Sequence, residues 1–258
     1  MKRILILLGA LIAVLIAAAV IVPFLIPTSV YKAQIETAAS NALDREVKLT
    51  GDAKLSILPI ISARVDGVEI ANPDGFSDPL MIEAGSLRAD VKLWPLLSQR
   101  VEIGKVTLED ATVRLERLAD GQVNWEFGDP SNAPDTPAPE SGDGFETGID
   151  RAALTNTAVF FNDRTDNTSY ALTEFNASAR MTALDKPFSS SGDGKLNGQP
   201  FDYTARIDTI AALTAQEAFA VNASVGTIYG DYSYEGDVTL AETPLLDGAF
   251  DIDSDTIG

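Results

Sequence analysis

The chain has 258 residues, no cysteine, no histidine and a formal net charge of −19. Without cysteine or histidine it cannot form a thiol nucleophile, a Ser-His-Asp triad or a Cys/His metal centre. The net negative charge argues against broad binding to nucleic acids, because basic patches supply most non-specific affinity for phosphate backbones. A hydrophobic content of 45% is ordinary for a folded chain of this length.

The negative charge is concentrated in the second half of the chain. Residues 1–128 carry 13 basic and 16 acidic side chains, a net charge of −3, whereas residues 129–258 carry 6 and 22, a net charge of −16. We interpret this acidity as a solvated surface.

A long apolar segment stands at the N-terminus. It runs without interruption from Ile4 to Val22 and extends through Ile26, behind two basic residues. About 20 helical residues cross a bilayer core, so the segment predicts an uncleaved anchor over residues 1–27 and is too long for a cleaved signal peptide. By the positive-inside rule the N-terminus lies in the cytoplasm and the rest of the chain across the membrane.

The next segment has helical spacing. Apolar side chains recur every three or four residues from Ser29 to Asp44, which predicts a short amphipathic helix with Ser29 as its N-cap. Its apolar face is rich in alanine and only weakly hydrophobic, so we expect it to cap a sheet rather than to lie on a membrane surface.

From Glu46 onward the apolar residues alternate, which is typical of strands with one apolar and one polar face. At Asp66-Gly67 the alternation changes phase. We therefore predict a mainly β fold with a long, mostly antiparallel sheet. The alternating residues include Val47 and Leu49, Ile61 to Val65, Leu87 to Leu93, Val113 and Leu115, Phe175 to Met181, Phe201 to Ile207, and Phe250 and Ile252.

A stretch rich in Pro, Gly and Asp separates two β regions. It covers residues 129–148 and predicts a linker or long loop between regions 28–128 and 149–258. The last predicted strand, Gly248 to Asp253, has no closing turn after it. We expect the sheet to be incomplete at the C-terminus, although its acidic side chains are an alternative form of edge protection.

Residues 27–127 resemble the N-terminal region of the AsmA family, membrane-anchored proteins of Gram-negative envelopes. The motifs that carry the resemblance are, in order, Asn72-Pro73-Asp74-Gly75-Phe76, Leu93-Trp94-Pro95-Leu96-Leu97 and Asp120-Gly121-Gln122-Val123-Asn124-Trp125. For Trp125 itself we favour a role as a packed core residue over stacking on a ligand.

The resemblance implies a curved sheet, or trough, tethered to the inner (plasma) membrane and related to bridge-like, chorein-type lipid-transfer proteins. It implies a periplasmic protein that carries or guides phospholipid between envelope membranes and supports outer-membrane biogenesis. A scaffold that assists assembly of outer-membrane proteins, with envelope proteins as partners, is the alternative. We expect no enzyme activity, no cofactor and no metal site. The residues predicted to face lipid in the groove are Leu87, Val91, Leu93, Val113 and Leu115.

Overall fold

A computed structural model describes residues 28–56, 61–92, 103–127, 149–183, 185–215, 217–240 and 245–254. Helix α1 covers Thr28–Leu43, and a short helix α2 covers Ile210–Ala215. Asp44, with φ of 50°, follows the end of α1 in the left-handed conformation common after helices. A helix is present where the sequence predicts one, but Ser29 lies one residue inside it and is not its N-cap.

All other regular structure in the described residues is β. The strands are β1 Val47–Leu49, β2 Ala53–Ser56, β3 Ile61–Ala71, β4 Leu80–Val91, β5 Ile103–Arg117, β6 Ile149–Asp163, β7 Thr168–Arg180, β8 Phe188–Leu196, β9 Gln199–Ile207, β10 Phe219–Thr227, β11 Gly230–Thr239 and β12 Leu245–Asp253.

Within the described residues these twelve strands form one open sheet. Its order is β1-β3-β4-β5-β6-β7-β8-β9-β10-β11-β12, with β2 also paired to β3. Every pair is antiparallel except β5 and β6, which run parallel. The prediction of a mainly β, mostly antiparallel sheet is confirmed, and the strands on both sides of residues 129–148 belong to the same sheet. The division into regions 28–128 and 149–258 stays a prediction.

The predicted membrane anchor falls outside the described residues, and so do Ile4, Val22 and Ile26. Among the residues that are described, no helix combines the length and the hydropathy needed to cross a bilayer.

Helix α1 covers one edge of the sheet. The amide of Val47 donates to Ser40 Oγ at 2.9 Å, and the amide of Leu49 donates to Glu36 Oε1 at 2.8 Å. These two amides are on the side of β1 that faces away from β3, where an edge strand would otherwise present unpaired donors. Val47 and Leu49 are themselves buried. The helix therefore caps the sheet as expected, but it does so through polar side chains. The expectation that its apolar face makes the contact is wrong, since Ile35, Ala38 and Ala42 are exposed.

Removing both capping side chains, as Glu36→Ala with Ser40→Ala, is expected to lower the free energy of unfolding by about 2 kcal/mol, because two edge amides lose their acceptors. Urea unfolding of the full chain in detergent measures this loss, and hydrogen exchange should accelerate at Val47 and Leu49. The exposed Gln34→Ala is the control. Unchanged protection of both amides in the double variant would contradict the capping role.

A line of left-handed residues crosses the sheet, and we call it the seam. It consists of Gly67 in β3, Asp110 in β5, Asn156 in β6 and Glu174 in β7, with φ of 64°, 53°, 49° and 52°. In β4, which lies between β3 and β5, Gly85 occupies the corresponding position without a left-handed conformation. Asn156 Nδ2 donates to Asp110 Oδ1 at 2.7 Å, which joins two of these positions side by side. At each of these positions the alternation of apolar residues changes phase, as the sequence predicted at Asp66-Gly67.

Where a strand crosses the seam, its apolar residues switch between odd and even positions but stay on the same side of the sheet. Residues directly opposite each other on paired strands point to the same face. In β8, Leu196 and Gly192 share a face, since the alternation there is regular through to β9. Leu172 and Ala177 of β7 are opposite these two residues although they are an odd number of positions apart. The irregularity at Glu174 therefore keeps apolar residues on one side.

Candidate functional site

One face of the sheet is lined by apolar residues in rows that cross many strands. The longest row joins ten strands through directly opposed positions. Its members are Val65, Leu87, Leu108, Leu154, Ala177, Gly192, Tyr203, Val225, Tyr232 and Ile252. We call this side of the sheet the apolar face.

Two further rows extend the apolar face on either side. The row next to the longest one has small side chains at most positions: Ala63, Ala89, Val106, Ala152, Ala179, Ser190, Ala205, Ala223, Tyr234 and Phe250. Across the seam, a third row is aliphatic throughout: Ile70, Ile82, Val113, Val159, Leu172 and Leu196. Together the rows make a continuous apolar surface.

The apolar face is largely uncovered. Of the residues in the three rows, only Val65 is buried. The exposed fractions are 37% for Leu87, 47% for Leu196 and 64% for Phe250. Contiguous apolar surface left open in this way is typical of a site for an apolar ligand or partner.

Four of the five residues predicted to face lipid lie on the apolar face. Leu87 and Val113 belong to the rows, Val91 is opposite Ile61, and Leu115 is opposite Phe161. The seam runs between the Leu87–Val91 part and the Val113–Leu115 part. Leu93 lies outside the described residues. Contact with lipid at these positions stays a prediction.

Several members of the face were not predicted as site residues, although the signal was present. Tyr203 and Val225 lie in regularly alternating segments of the second half, and Leu154 lies in a strand whose start the sequence did not show. Alternation assigns a residue to a face, but the partner strand and its register determine which residues form a row.

An aromatic group stands at the rim of the apolar face. The ring centroids of Trp125 and Phe161 are 5.9 Å apart, and those of Phe161 and Tyr170 are 6.4 Å apart. The Arg117 guanidinium lies 5.9 Å from the Trp125 ring centroid. These contacts support the interpretation of Trp125 as a packing residue.

A buried amide holds the loop before β4 against the end of β5. Asn124 is fully buried and accepts a 2.9 Å hydrogen bond from the Glu116 amide. Its Nδ2 donates to Asn72 Oδ1 at 2.8 Å and to the Arg114 carbonyl at 2.7 Å. The Asn-Pro-x-Gly-Phe and Asp-Gly-x-x-Asn-Trp motifs therefore meet in space through their asparagines.

The Glu116 carboxylate, which is also buried, ties a third segment into this cluster. It accepts hydrogen bonds from the Ser77 amide at 2.8 Å and the Ser77 hydroxyl at 2.7 Å. Arg164 forms an ion pair with it and also donates to Ser77 Oγ.

A model of the AsmA family matches residues 1–231. The chain belongs to the AsmA family. The match includes the motifs joined by Asn72 and Asn124 and ends at the start of β11. No curated protein and no solved structure gives a significant match to the chain. The resemblance noted in the sequence is confirmed at the level of the family.

Acid is expected to destabilise this AsmA-family protein partly through Glu116. Burial raises the pKa of its carboxyl, but the hydrogen bonds from Ser77 and the charge of Arg164 outweigh burial and hold the pKa below its ordinary 4.5. The ionised group therefore stabilises the fold above pH 4.5, and this contribution disappears as the pH falls below 4.5 through the lowered pKa.

We expect Glu116→Gln to lower stability at pH 7 and to make its decline between pH 5 and pH 3 shallower than in the wild type. Urea midpoints across this range measure both effects. The exposed Glu217→Gln serves as the control and should follow the wild type. A Glu116→Gln curve parallel to that of the wild type would show that Glu116 does not contribute to acid sensitivity.

Proposed function

We propose that this AsmA-family protein is anchored in the inner membrane and carries or guides phospholipid along its apolar face towards the outer membrane. The observation that supports this most strongly is the row of ten directly opposed apolar, glycine or tyrosine positions. Neighbouring strands lie about 4.8 Å apart, so the row extends over about 43 Å, more than the hydrocarbon core of a bilayer at about 30 Å.

The energetics of acyl-chain burial fit this proposal. Each buried methylene contributes about 0.8 kcal/mol, so five methylenes on the apolar face already contribute about 4 kcal/mol. We infer that the sheet curves into a trough with the apolar face inside, since a concave surface covers more of an acyl chain than a flat one. The headgroup then remains in water, and the process needs no catalytic group.

Photo-crosslinking tests where lipid binds. Benzoylphenylalanine at Leu87, Val91, Val113 or Leu115 in the full chain, expressed in a Gram-negative host, is expected to capture phospholipid. The same probe at Arg88 or Thr112, on the opposite face, should capture little. If the apolar-face positions capture only protein, or if both faces capture lipid equally, the proposed path is wrong.

The outer edge of β12 favours the scaffold function as the second candidate. Every residue of β12 is exposed, and no described strand pairs with its outer side. A free edge can bind an extended segment of a partner by strand addition. The amide of Leu246 is on the outer side of β12, since the amides of the odd-numbered residues of this strand face β11. Pull-downs of outer-membrane proteins that persist after delipidation and are lost when Leu246 is replaced by proline would support this role.

A further inference from the structure

Three arginines of the acidic second half line one open groove on the polar face of the sheet, the side opposite the apolar face. The groove has a volume of about 380 Å³, and its lining includes Arg151, Arg180 and Arg206. Arg151 is directly opposite Arg180. Ser189, on the strand between, is opposite both Arg180 and Arg206. The register of four neighbouring strands therefore sets these three cations in one row.

These arginines have no carboxylate partner within the described residues. Residues 129–258 contain only six basic side chains against 22 acidic ones. The other three, Arg164, Lys186 and Lys195, each form an ion pair with a carboxylate. No carboxylate of the described chain lies within 4.0 Å of the groove arginines. In so acidic a region, unpaired arginines side by side indicate a site for an external anion.

Like charges directly opposite each other destabilise a sheet. Besides the Arg151–Arg180 pair, Lys105 is directly opposite Arg151 on β5. Lys105 has Asp90 directly opposite it on β4, whereas the Arg151–Arg180 pair has no carboxylate opposite either residue on the described strands. A bound anion would relieve the repulsion within this pair.

Hydroxyl groups occupy the neighbouring row of the groove. Ser178, Ser191 and Thr204 line it together with the arginines, and the Ser178 and Ser191 hydroxyls are 3.4 Å apart. A tetrahedral phosphate has several acceptor oxygens and is well matched by guanidinium groups together with hydroxyl donors. A single carboxylate has only two oxygens and would leave more of these donors unused.

The charge around the groove places the anion towards its Arg151 end. Arg206 also lines a neighbouring depression, whose other lining residues include Asp208, Glu235 and Asp237. These carboxylates repel an anion near Arg206. At the other end of the groove, Lys105 is opposite Arg151, which is opposite Arg180, so the charge there attracts an anion.

We propose that this groove binds a phosphate group, either free as inorganic phosphate or a phosphomonoester, or carried by a lipid headgroup. Arg151 and Arg180 bind it directly, and Arg206 and the hydroxyls complete the site. Because the groove is on the polar face, this proposal does not depend on lipid transport along the apolar face.

The test uses the full chain in nanodiscs of phosphatidylcholine. One arm titrates inorganic phosphate and glycerol 3-phosphate and follows thermal stability. The other measures co-flotation with phosphatidylcholine vesicles that contain or lack 20 mol% phosphatidate. Stabilisation by the soluble phosphates identifies a free phosphate as the ligand, and binding to phosphatidate vesicles alone identifies a headgroup. In both cases binding should weaken as NaCl increases.

Arg151→Gln and Arg180→Gln are each expected to weaken binding about tenfold, and the triple variant with Arg206→Gln should abolish it. Without phosphate these variants should unfold at the same temperature as the wild type or higher, because repulsion is removed, whereas a purely structural role would lower that temperature. Arg180→Lys, which keeps the charge, should retain part of the affinity.

Lys195→Gln removes a paired cation from β8 and is the matched control, with affinity unchanged. Full binding by the triple variant, or no binding of either the soluble phosphates or the phosphatidate vesicles by the wild type, would overturn the proposal.

Discussion

Replacing Leu87 by glutamate is expected to reduce the phospholipid that co-purifies with the full chain at least tenfold. Leu87 is in the longest apolar row, between Val65 and Leu108. A carboxylate there would have to lose its hydration to contact an acyl chain, which costs several kcal/mol. Leu87 is already 37% exposed, so the substitution removes little packed core. Native mass spectrometry after detergent extraction measures the bound lipid.

The neighbouring residue provides the control for this experiment. Arg88→Gln changes the net charge by the same amount but lies on the polar face, and it should leave bound lipid unchanged. Leu87→Phe keeps the position apolar and should also retain lipid. Equal lipid loss in Leu87→Glu and Arg88→Gln would show that charge, and not the apolar face, determines lipid binding.

The largest loss of stability is expected at Asn124. Asn124→Ala removes the acceptor of the Glu116 amide and the donor to the Arg114 carbonyl. Both backbone groups then stay buried without a partner, at about 1 to 3 kcal/mol each, and a void remains. We expect the free energy of unfolding to fall by about 4 kcal/mol in urea titrations followed by circular dichroism.

Two comparisons make this prediction specific. Asn162→Ala removes an exposed amide whose oxygen accepts one 3.3 Å hydrogen bond from Ser169, and should cost less than about 0.5 kcal/mol. Asn124→Asp keeps an acceptor for the Glu116 amide but sets a buried carboxylate oxygen against Asn72 Oδ1 and the Arg114 carbonyl, so it should cost at least as much as Asn124→Ala. A loss below about 1 kcal/mol for Asn124→Ala would mean that water replaces the amide.

The sequence shows most clearly those strands whose own residues alternate. β9, from Gln199 to Ile207, is one of them, and the phase change in β3 was visible because Gly67 follows Asp66. β5 is a single strand of 15 residues, but its alternation reads as separate pieces because Asp110 interrupts it in the left-handed conformation.

The sequence pattern does not predict β8, because the apolar side chains that cover this strand come from the neighbouring strands β7 and β9. Gly192 and Gly194 have no side chains, and the rings of Phe175 in β7 and Tyr203 in β9 stack across them at 6.2 Å. A Cβ at Gly192 would meet Tyr203 at 2.8 Å. The aromatic side chains therefore cover the glycine strand from both sides, and no pattern within β8 records this.

Only part of the candidate site could be predicted from the sequence, because its rows also depend on which strands pair and in which register. Leu87 and Val113 could be assigned to an apolar face from their own alternation. Nothing in periodicity indicates that β5 and β6 run parallel, or that Arg151 is opposite Arg180, since strand order and register are properties of pairs.

The seam divides the sheet into two panels whose alternation is out of step by one residue. A substitution within a panel changes one side chain, but deleting Asn156 would shorten β6 by one residue across the seam while its parallel partner β5 keeps the original spacing. One panel of β6 would then lose its register with β5. Each strand that crosses the seam is therefore constrained in length as well as in composition. Related chains should vary freely within the panels, but should favour Gly, Asn or Asp at the left-handed positions and preserve the number of residues between the panels.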